Sequence, residues 1–377
     1  MSLDDERFMR RAIELAERGR WHAAPNPTVG AVLVKDGAAV AEGWHQVCGK
    51  AHAEVNCLSD AAAKGIDPEG GTLYVTLEPC NHYGKTPPCS KAVAEAGIRR
   101  VVIGMPDVNP SAVGGAEFLR SRGVEVVIGV LEDECRELVA DFINWQVRRR
   151  PFVMVKMAMT LDGRIALRGG QTACISGPES HAEVMKLRAS VGTAGGAVLV
   201  GGNTLRQDDP LLTARGIPCE KQPLAAVITS QLPESASCRL LSERAGQAVF
   251  LTSPAEASGN RASSLRALGA RVYSVPVLPG GKLDCEEAVR ILWAEEGCRY
   301  VLCEGGGRLA FSLLESGTAD ELRLHIAPVI YGDAEAPSVF TGGSLESAAA
   351  ALRMRPIAVS SFGSDTHITL RPQRENG

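Results

Sequence analysis

At 377 residues the chain is too long for one ordinary domain and comfortable for two. With 45% hydrophobic residues and a net charge of −4 it is globular and mildly acidic, which argues against a general nucleic-acid binder with a basic surface. No stretch approaches the roughly 18 apolar residues of a membrane span, and Met1 to Arg10 lacks the apolar core of a signal peptide. A cytoplasmic protein with 11 reduced cysteines is therefore expected, and cysteines close in sequence read first as metal ligands.

In chain order, Asp5 to Arg18 places Phe8, Ala12, Ile13, Leu15 and Ala16 on one helical face. Val29 to Val34 and Ala38 to Trp44 flank Asp36-Gly37, a residue pair favoured in two-residue hairpins. A helix is expected over His52 to Ala63 and a strand over Thr72 to Leu77. A helix over Ser90 to Ala96 stops at Gly97, and a strand covers Val101 to Gly104. A helix near Glu117 to Arg122 and a strand over Val124 to Ile128 follow. This order predicts a sheet covered by helices on both faces. Glu132 to Val147 reads as one helix, ended by Arg148-Arg149-Arg150-Pro151, a solvated charged turn that marks a domain boundary.

The second half restarts with a strand, Phe152 to Met159. Further strands are expected at Ala197 to Val200, Ala225 to Ile228, Ala248 to Leu251, Arg271 to Val275, Tyr300 to Cys303 and Leu322 to Ile326. Helices are expected near His181 to Ser190, Glu286 to Glu296 and Arg308 to Glu315, giving a second α/β domain. Glu256 to Ser264 and Ser344 to Ala351 are alanine- and serine-rich and read as peripheral.

His52-Ala53-Glu54, followed by Pro79-Cys80 and Pro88-Cys89, carries the strongest chemistry. Zinc takes nitrogen and thiolate ligands in a tetrahedron, and a hydrolytic site keeps one position for water. His52, Cys80 and Cys89 supply three ligands, and the metal brings the pKa of its water towards ~7. Glu54 is placed to accept that water's proton and return it to a leaving amine. His-x-Glu followed by Pro-Cys is the signature of zinc-dependent base deaminases. The two cysteines stand nine positions apart, and the insert between them brings His82 and Lys85 to the metal mouth, where they suit a phosphorylated substrate. Two rival readings are a closed zinc knot with His82 as fourth ligand and a non-enzymatic scaffold.

The run from Glu78 to Cys89 resembles the bifunctional riboflavin-biosynthesis deaminase–reductases. So do Pro25-Asn26-Pro27-Thr28-Val29-Gly30 and Gly43-Trp44-His45. The resemblance continues through Lys156, Thr160-Leu161-Asp162-Gly163, Asp208-Asp209-Pro210, Glu304-Gly305-Gly306-Gly307 and Ala327-Pro328. It implies an α/β protein with a cytidine-deaminase-like three-layer domain (1–147) and a dihydrofolate-reductase-like α/β domain (151–377). It implies zinc-dependent removal of the 2-amino group of 2,5-diamino-6-ribosylamino-4(3H)-pyrimidinone 5′-phosphate, then NADPH-dependent reduction of the ribosyl group to ribityl. The partner is thus a small phosphorylated pyrimidine, with neither nucleic acid nor membrane, and a homo-oligomer is expected.

By motif, Asn26, His45, His82 and Lys85 become deaminase substrate contacts. The resemblance sets Ala158, Cys174, Thr204, Asp208, Ser230 and the run Gly306, Gly307, Arg308, Leu309, Ala310, Phe311 and Ser312 around NADPH. It sets Thr172, Arg188, Leu211, Arg215 and Glu304 around the reductase substrate, with Lys156 meeting the ribose. Arg188 and Arg215 suit its phosphate, since guanidinium makes paired charge-assisted bonds. Glycines at 305–307 let a pyrophosphate approach a helix start. The chain departs from the family pattern at Asn56, at Cys174 where tryptophan is common, at Val113-Gly114-Gly115-Ala116, and at an extra Thr193-Ala194-Gly195-Gly196. Two alternatives share these motifs: a deaminase with a degenerate or differently specific reductase domain, and a tRNA or nucleoside deaminase.

Overall fold

The computed structural model describes residues 3–83, 87–170, 175–234, 238–344 and 347–373. The chain divides into two compact units, Met1–Arg149 and Arg150–Gly377.

In the first unit, the helix Leu3–Glu17 buries Phe8, Met9, Ala12, Leu15 and Ala16. Met9 takes the inward place expected of Ile13, which stays half-buried. β1 (Gly30–Lys35) and β2 (Ala38–Trp44) are joined by Asp36 and Gly37 at φ 51° and 76°, the positive pair that a type I′ turn needs. With β3 (Thr72–Leu77), β4 (Arg100–Met105) and β5 (Glu125–Ile128), the sheet order is β2-β1-β3-β4-β5. β1 runs antiparallel to β2 and β3, while β3, β4 and β5 are mutually parallel.

Two glycines set the layers. A Cβ on Gly30 would meet the Ala12 carbonyl oxygen at 2.0 Å, so the first helix lies directly on that face. A Cβ on Gly43 would meet the Cys57 amide at 2.3 Å, so the helix Ala53–Ala63 lies equally close to β2. Gly43 is the cross-strand partner of Ala31, the neighbour of Gly30, and neighbours along a strand point to opposite faces. The two helices therefore cover opposite faces.

The single helix expected over 132–147 is broken. Glu132–Leu138 ends at Val139 (φ −110°), and Ala140–Ile143 and a π-helical turn, Asn144–Arg148, follow. The breaks let Leu138, Val139, Phe142 and Trp145 all face inward. Arg150 is not part of a solvated turn either. It is buried, and its guanidinium donates to both oxygens of Asp320 at 2.7 Å each.

The second unit holds β6 (Phe152–Thr160), β7 (Ala197–Gly201), β8 (Leu224–Ile228), β9 (Ala248–Thr252), β10 (Arg271–Ser274), β11 (Tyr300–Gly305), β12 (Glu321–Ala327), β13 (Met354–Phe362) and β14 (Asp365–Pro372). Their order is β10-β9-β8-β7-β11-β6-β12-β14-β13. The first seven in that order are parallel, and β14 and β13 continue antiparallel. Val153, Val155, Leu199, Val249, Leu251, Val301, Leu313 and Leu322 belong to one hydrophobic core. The reading of 256–264 as peripheral is corrected: the helices Pro254–Ala257 and Asn260–Ala267 bury Ala257, Ala262 and Leu265. β13 and β14 were not expected, because β13 is exposed along most of its length and so carries no alternating pattern. Among the described residues no helix is long and apolar enough to cross a membrane.

Candidate active sites

In the first unit three ligand atoms converge. His52 precedes the helix Ala53–Ala63 in extended conformation, Cys80 follows β3, and Cys89 opens the helix Cys89–Glu95. His52 Nδ1 lies 3.7 Å from Cys80 Sγ and 3.4 Å from Cys89 Sγ, and the three atoms lie within 4.8 Å of one another. Zinc bonds of about 2.0–2.3 Å at tetrahedral angles require ligand atoms roughly 3.5–3.8 Å apart, so the set fits the ion. His82 is not in the converging set.

The donor chemistry agrees. A hydrogen bond from the Cys89 thiol draws the Cys80 pKa down, while that contact and burial push Cys89 up. Adjacent thiols thus share one negative charge, and a second thiolate requires a cation between them. The Cys89 amide donates to Cys80 Sγ at 3.5 Å, as expected of a thiolate at a helix start. Glu54 lies in the first turn after His52 and is 3% exposed. Burial and the neighbouring Cys80 charge push its carboxyl up to about 7.

Asn26 and His45 meet beside this cluster. His45 Nδ1 lies 3.0 Å from the Ala51 carbonyl oxygen, which only accepts, so this nitrogen carries the proton. Nε2 then accepts from the Asn26 amide nitrogen at 3.1 Å. Burial lowers the His45 pKa, in keeping with a neutral ring. Both ring nitrogens are therefore committed within the protein, and the imidazole orients Asn26 so that its side-chain oxygen is left for a ligand. Asn56 donates to the Trp44 and Ala51 carbonyls and so ties down the segment before His52. His82 Nδ1 is buried and has no hydrogen-bond partner among the described residues. Lys85 lies outside the described residues.

In the second unit, adjacency of the parallel strands β8, β7, β11 and β6 brings their carboxyl ends to one edge of the sheet. Such an edge is where open α/β sheets bind ligands. Ala158, Thr204, Ser230 and Gly306 lie at or just beyond these ends, and Asp208 closes the helix Gly202–Asp208. A Cβ on Gly305 would meet both side-chain termini of Thr204 at 3.0 Å, and Gly306 has φ 83°. The turn before the helix Gly307–Glu315 thus needs glycine both for space and for backbone conformation. Further along that helix, Leu309 and Ala310 turn into the core, and Phe311 packs against Gly343. The run is therefore left with backbone N–H groups at its start to offer an anion, beside Arg308 and Ser312.

Arg188 and Glu304 come together as a bidentate pair at 2.7 and 2.8 Å, and Arg188 also donates to the Thr213 carbonyl at 2.9 Å. Burial raises the Glu304 pKa, but the Arg188 charge wins and holds it below the carboxylate range. Arg188 is thus committed to a carboxylate, whereas Arg215 is exposed and carries no ion pair among the described residues. The Leu211 carbonyl accepts from Arg244. Burial pushes the Lys156 ammonium down, with Glu304 opposing. Thr172 and Cys174 lie outside the described residues.

One cluster had no sequence signal. His325 on β12 and His367 on β14 are cross-strand partners, stacked with ring centroids 3.5 Å apart, and Ser180 lies 2.6 Å from His367 Nε2. Burial, with Lys156 nearby, pulls His325 to about 2, and burial also lowers His367. The His325 ring stays neutral when folded but protonates when unfolded below about pH 6.5, so its stabilisation is full above that pH. It is lost as pH falls, at up to about 1.4 kcal/mol per pH unit for His325, with His367 acting in the same direction. Melting temperature is therefore expected to drop between about pH 6.5 and pH 5. His325→Leu should flatten the drop, and an equally steep drop in that variant would refute the assignment.

Comparisons with known proteins identify both halves of the chain. Residues 2–105 match the family model for the cytidine and deoxycytidylate deaminase zinc-binding region, and residues 151–368 match the RibD C-terminal domain. The chain thus joins a zinc-type deaminase to a reductase. The riboflavin biosynthesis protein RibD of Aquifex aeolicus is 38% identical, with 96% of each chain covered. That of Escherichia coli K12 is 34% identical over 98% of this chain and 99% of its own. A solved Thermotoga maritima structure, described as a diaminohydroxyphosphoribosylaminopyrimidine deaminase/5-amino-6-(5-phosphoribosylamino)uracil reductase, superposes with TM-score 0.78. It is 35% identical and covers 98% of this chain and 99% of its own. Acinetobacter baumannii RibD gives TM-score 0.77 at 31% identity, with the same coverage. The chain belongs to the RibD family of bifunctional riboflavin-biosynthesis deaminase–reductases, which use zinc and NADPH.

Proposed function

We propose that residues 1–147 hydrolyse the 2-amino group of 2,5-diamino-6-ribosylamino-4(3H)-pyrimidinone 5′-phosphate, and that residues 151–377 then reduce its ribosyl group to ribityl. The observation that carries the first step is the convergence of His52, Cys80 and Cys89 with a buried carboxylate two residues from the imidazole. When bound, zinc supplies the Lewis acidity that makes water nucleophilic at neutral pH. Glu54 takes the proton of the attacking water and returns it to the departing amine. Asn26, held by His45, accepts from a pyrimidine N–H through its side-chain oxygen, and His82 Nδ1 offers a second polar contact. Lys85 completes the phosphate end by resemblance.

NADPH supplies hydride to the reductase. The helix start at Gly307 would hold its pyrophosphate, Ala158, Thr204, Asp208 and Ser230 would line the cofactor site, and Lys156 would meet the ribose. Leu211, Arg215 and Glu304 bound the substrate, with Arg215 on the phosphate and Arg188 orienting Glu304. Thr172 and Cys174 enter by resemblance.

The test is metal analysis joined to a two-step assay: ammonia release from the diaminopyrimidine, then loss of NADPH absorbance with the deaminated product. Ammonia release from tRNA or free nucleosides alone would reject this substrate, and deamination without NADPH oxidation would mark the reductase as degenerate. Asn26→Ala is expected to lose one neutral hydrogen bond, raising KM about tenfold while zinc content is unchanged. An unaltered KM would remove Asn26 from the substrate site.

The proposal extends to a cytoplasmic homo-oligomer that takes a small molecule and binds no nucleic acid. β13 supports the oligomer: it is a sheet-edge strand with Val359 66% and Ile357 38% exposed, the kind of edge that pairs with another chain. Light scattering of Val359→Lys should report a smaller particle than the unmodified chain, and an unchanged mass would rule out that edge.

A further inference from the structure

Glu78 stands between β3 and the Pro79-Cys80 ligand segment and is 8% exposed. Its carboxylate is not part of the converging ligand set. One oxygen accepts from the Gly114 amide at 3.2 Å and the Ala116 amide at 2.9 Å, and the other accepts from the Asp107 amide at 3.4 Å. All three donors belong to the segment that leaves β4 and enters the helix Gly115–Ser121. Around them the same segment is stitched to the Cys80 segment by backbone. The Asn81 amide donates to the Ala112 carbonyl at 3.0 Å, and a Cβ on Gly115 would meet the Pro79 carbonyl oxygen at 1.8 Å. The segment's own acid, Asp107, is half-buried and lies within electrostatic reach of His52, Cys80 and His82. One carboxylate thus ties a second loop to the mouth of the deaminase centre at two separated points, 107 and 114–116.

Building on the deaminase reading, we infer that Glu78 is a positioning residue, whose backbone hydrogen bonds hold residues 107–116 as a wall of the pyrimidine pocket and so set substrate affinity rather than metal binding. Hydrogen bonds to an ionised acceptor are the strong ones, and a buried carboxylate with several backbone donors has one fixed orientation. An amide at this position keeps the shape but can accept through only one atom. With its oxygen on Gly114 and Ala116, its NH2 group opposes the Asp107 N–H, and that end of the segment is released.

The experiment is steady-state ammonia release by the full zinc-loaded chain, with Glu78→Gln, Asp107→Asn and the double variant, alongside zinc analysis. The unmodified chain must first turn over the diaminopyrimidine; if it does not, the substrate reading fails and not the role of Glu78. Given turnover, Glu78→Gln is expected to raise KM at least tenfold, with kcat within threefold and zinc content unchanged. Adding Asp107→Asn should raise KM by less than the product of the two single effects, because both act through one segment. An unchanged KM, multiplicative effects, or loss of zinc together with kcat would overturn the inference. Should Glu78→Gln misfold, amide exchange in the unmodified chain decides. The Ala116 amide should exchange more slowly once the deaminated product is added, and an unaltered rate would count against the wall.

Discussion

Glu54→Gln is expected to lower kcat for ammonia release by about 10³-fold, within the range seen when a positioned acid–base group is removed. The amide keeps the volume of a side chain that is 3% exposed, so the packing around the first turn of the helix Ala53–Ala63 survives. It neither accepts the water's proton nor donates one to the amine. Zinc content and NADPH oxidation with the deaminated product should both stay at the level of the unmodified chain, because Glu54 is outside the converging ligand set and lies in the other unit from the reductase site. Retained ammonia release would mean that the proton moves by another route. Loss of zinc would mean that the carboxylate serves the metal instead.

Arg188→Met should have the largest effect on stability. The guanidinium and the Glu304 carboxylate are 11% and 8% exposed, and removing one partner leaves the other buried and uncompensated, at a cost of about 3–5 kcal/mol. The Thr213 carbonyl also loses its donor. Scanning calorimetry would read this as a downward shift of one transition, the one that zinc chelation does not move. Adding Glu304→Leu removes the stranded charge and should recover part of the shift. Equal melting temperatures for Arg188→Met and the unmodified chain would show the pair to be stabilised from elsewhere.

What the sequence made legible was local. Asp36-Gly37 announced the first hairpin, because few residue pairs tolerate two consecutive positive φ angles. His52, Cys80 and Cys89 were legible because metal ligands are few residue types at telling spacings. The strand order of the second sheet was not, since β6 takes its place between β11 and β12, far away in sequence. Arg188 and Glu304, each read as a ligand contact, stand 116 positions apart, and only the folded chain shows that they are also each other's partner. Asn26 and His45 were both read as touching substrate, and only coordinates reveal that one spends its ring nitrogens aligning the other. The stacked histidines and the Glu78 bonds were invisible for the same reason: each is a single residue whose meaning comes from a distant backbone.

The placement of β6 also bears on biosynthesis. Lys156 is among the first residues of its unit to leave the ribosome, yet the strands on either side of β6 are residues 300–305 and 321–327, and β14 beyond them is residues 365–372. Contacts that far apart in sequence are slow to form. The deaminase ligands fall between residues 52 and 89 and are complete long before. A nascent chain can therefore hold a finished hydrolytic centre while its reducing centre still waits for the final strands, and shortening the carboxyl end would cost the second chemistry before the first.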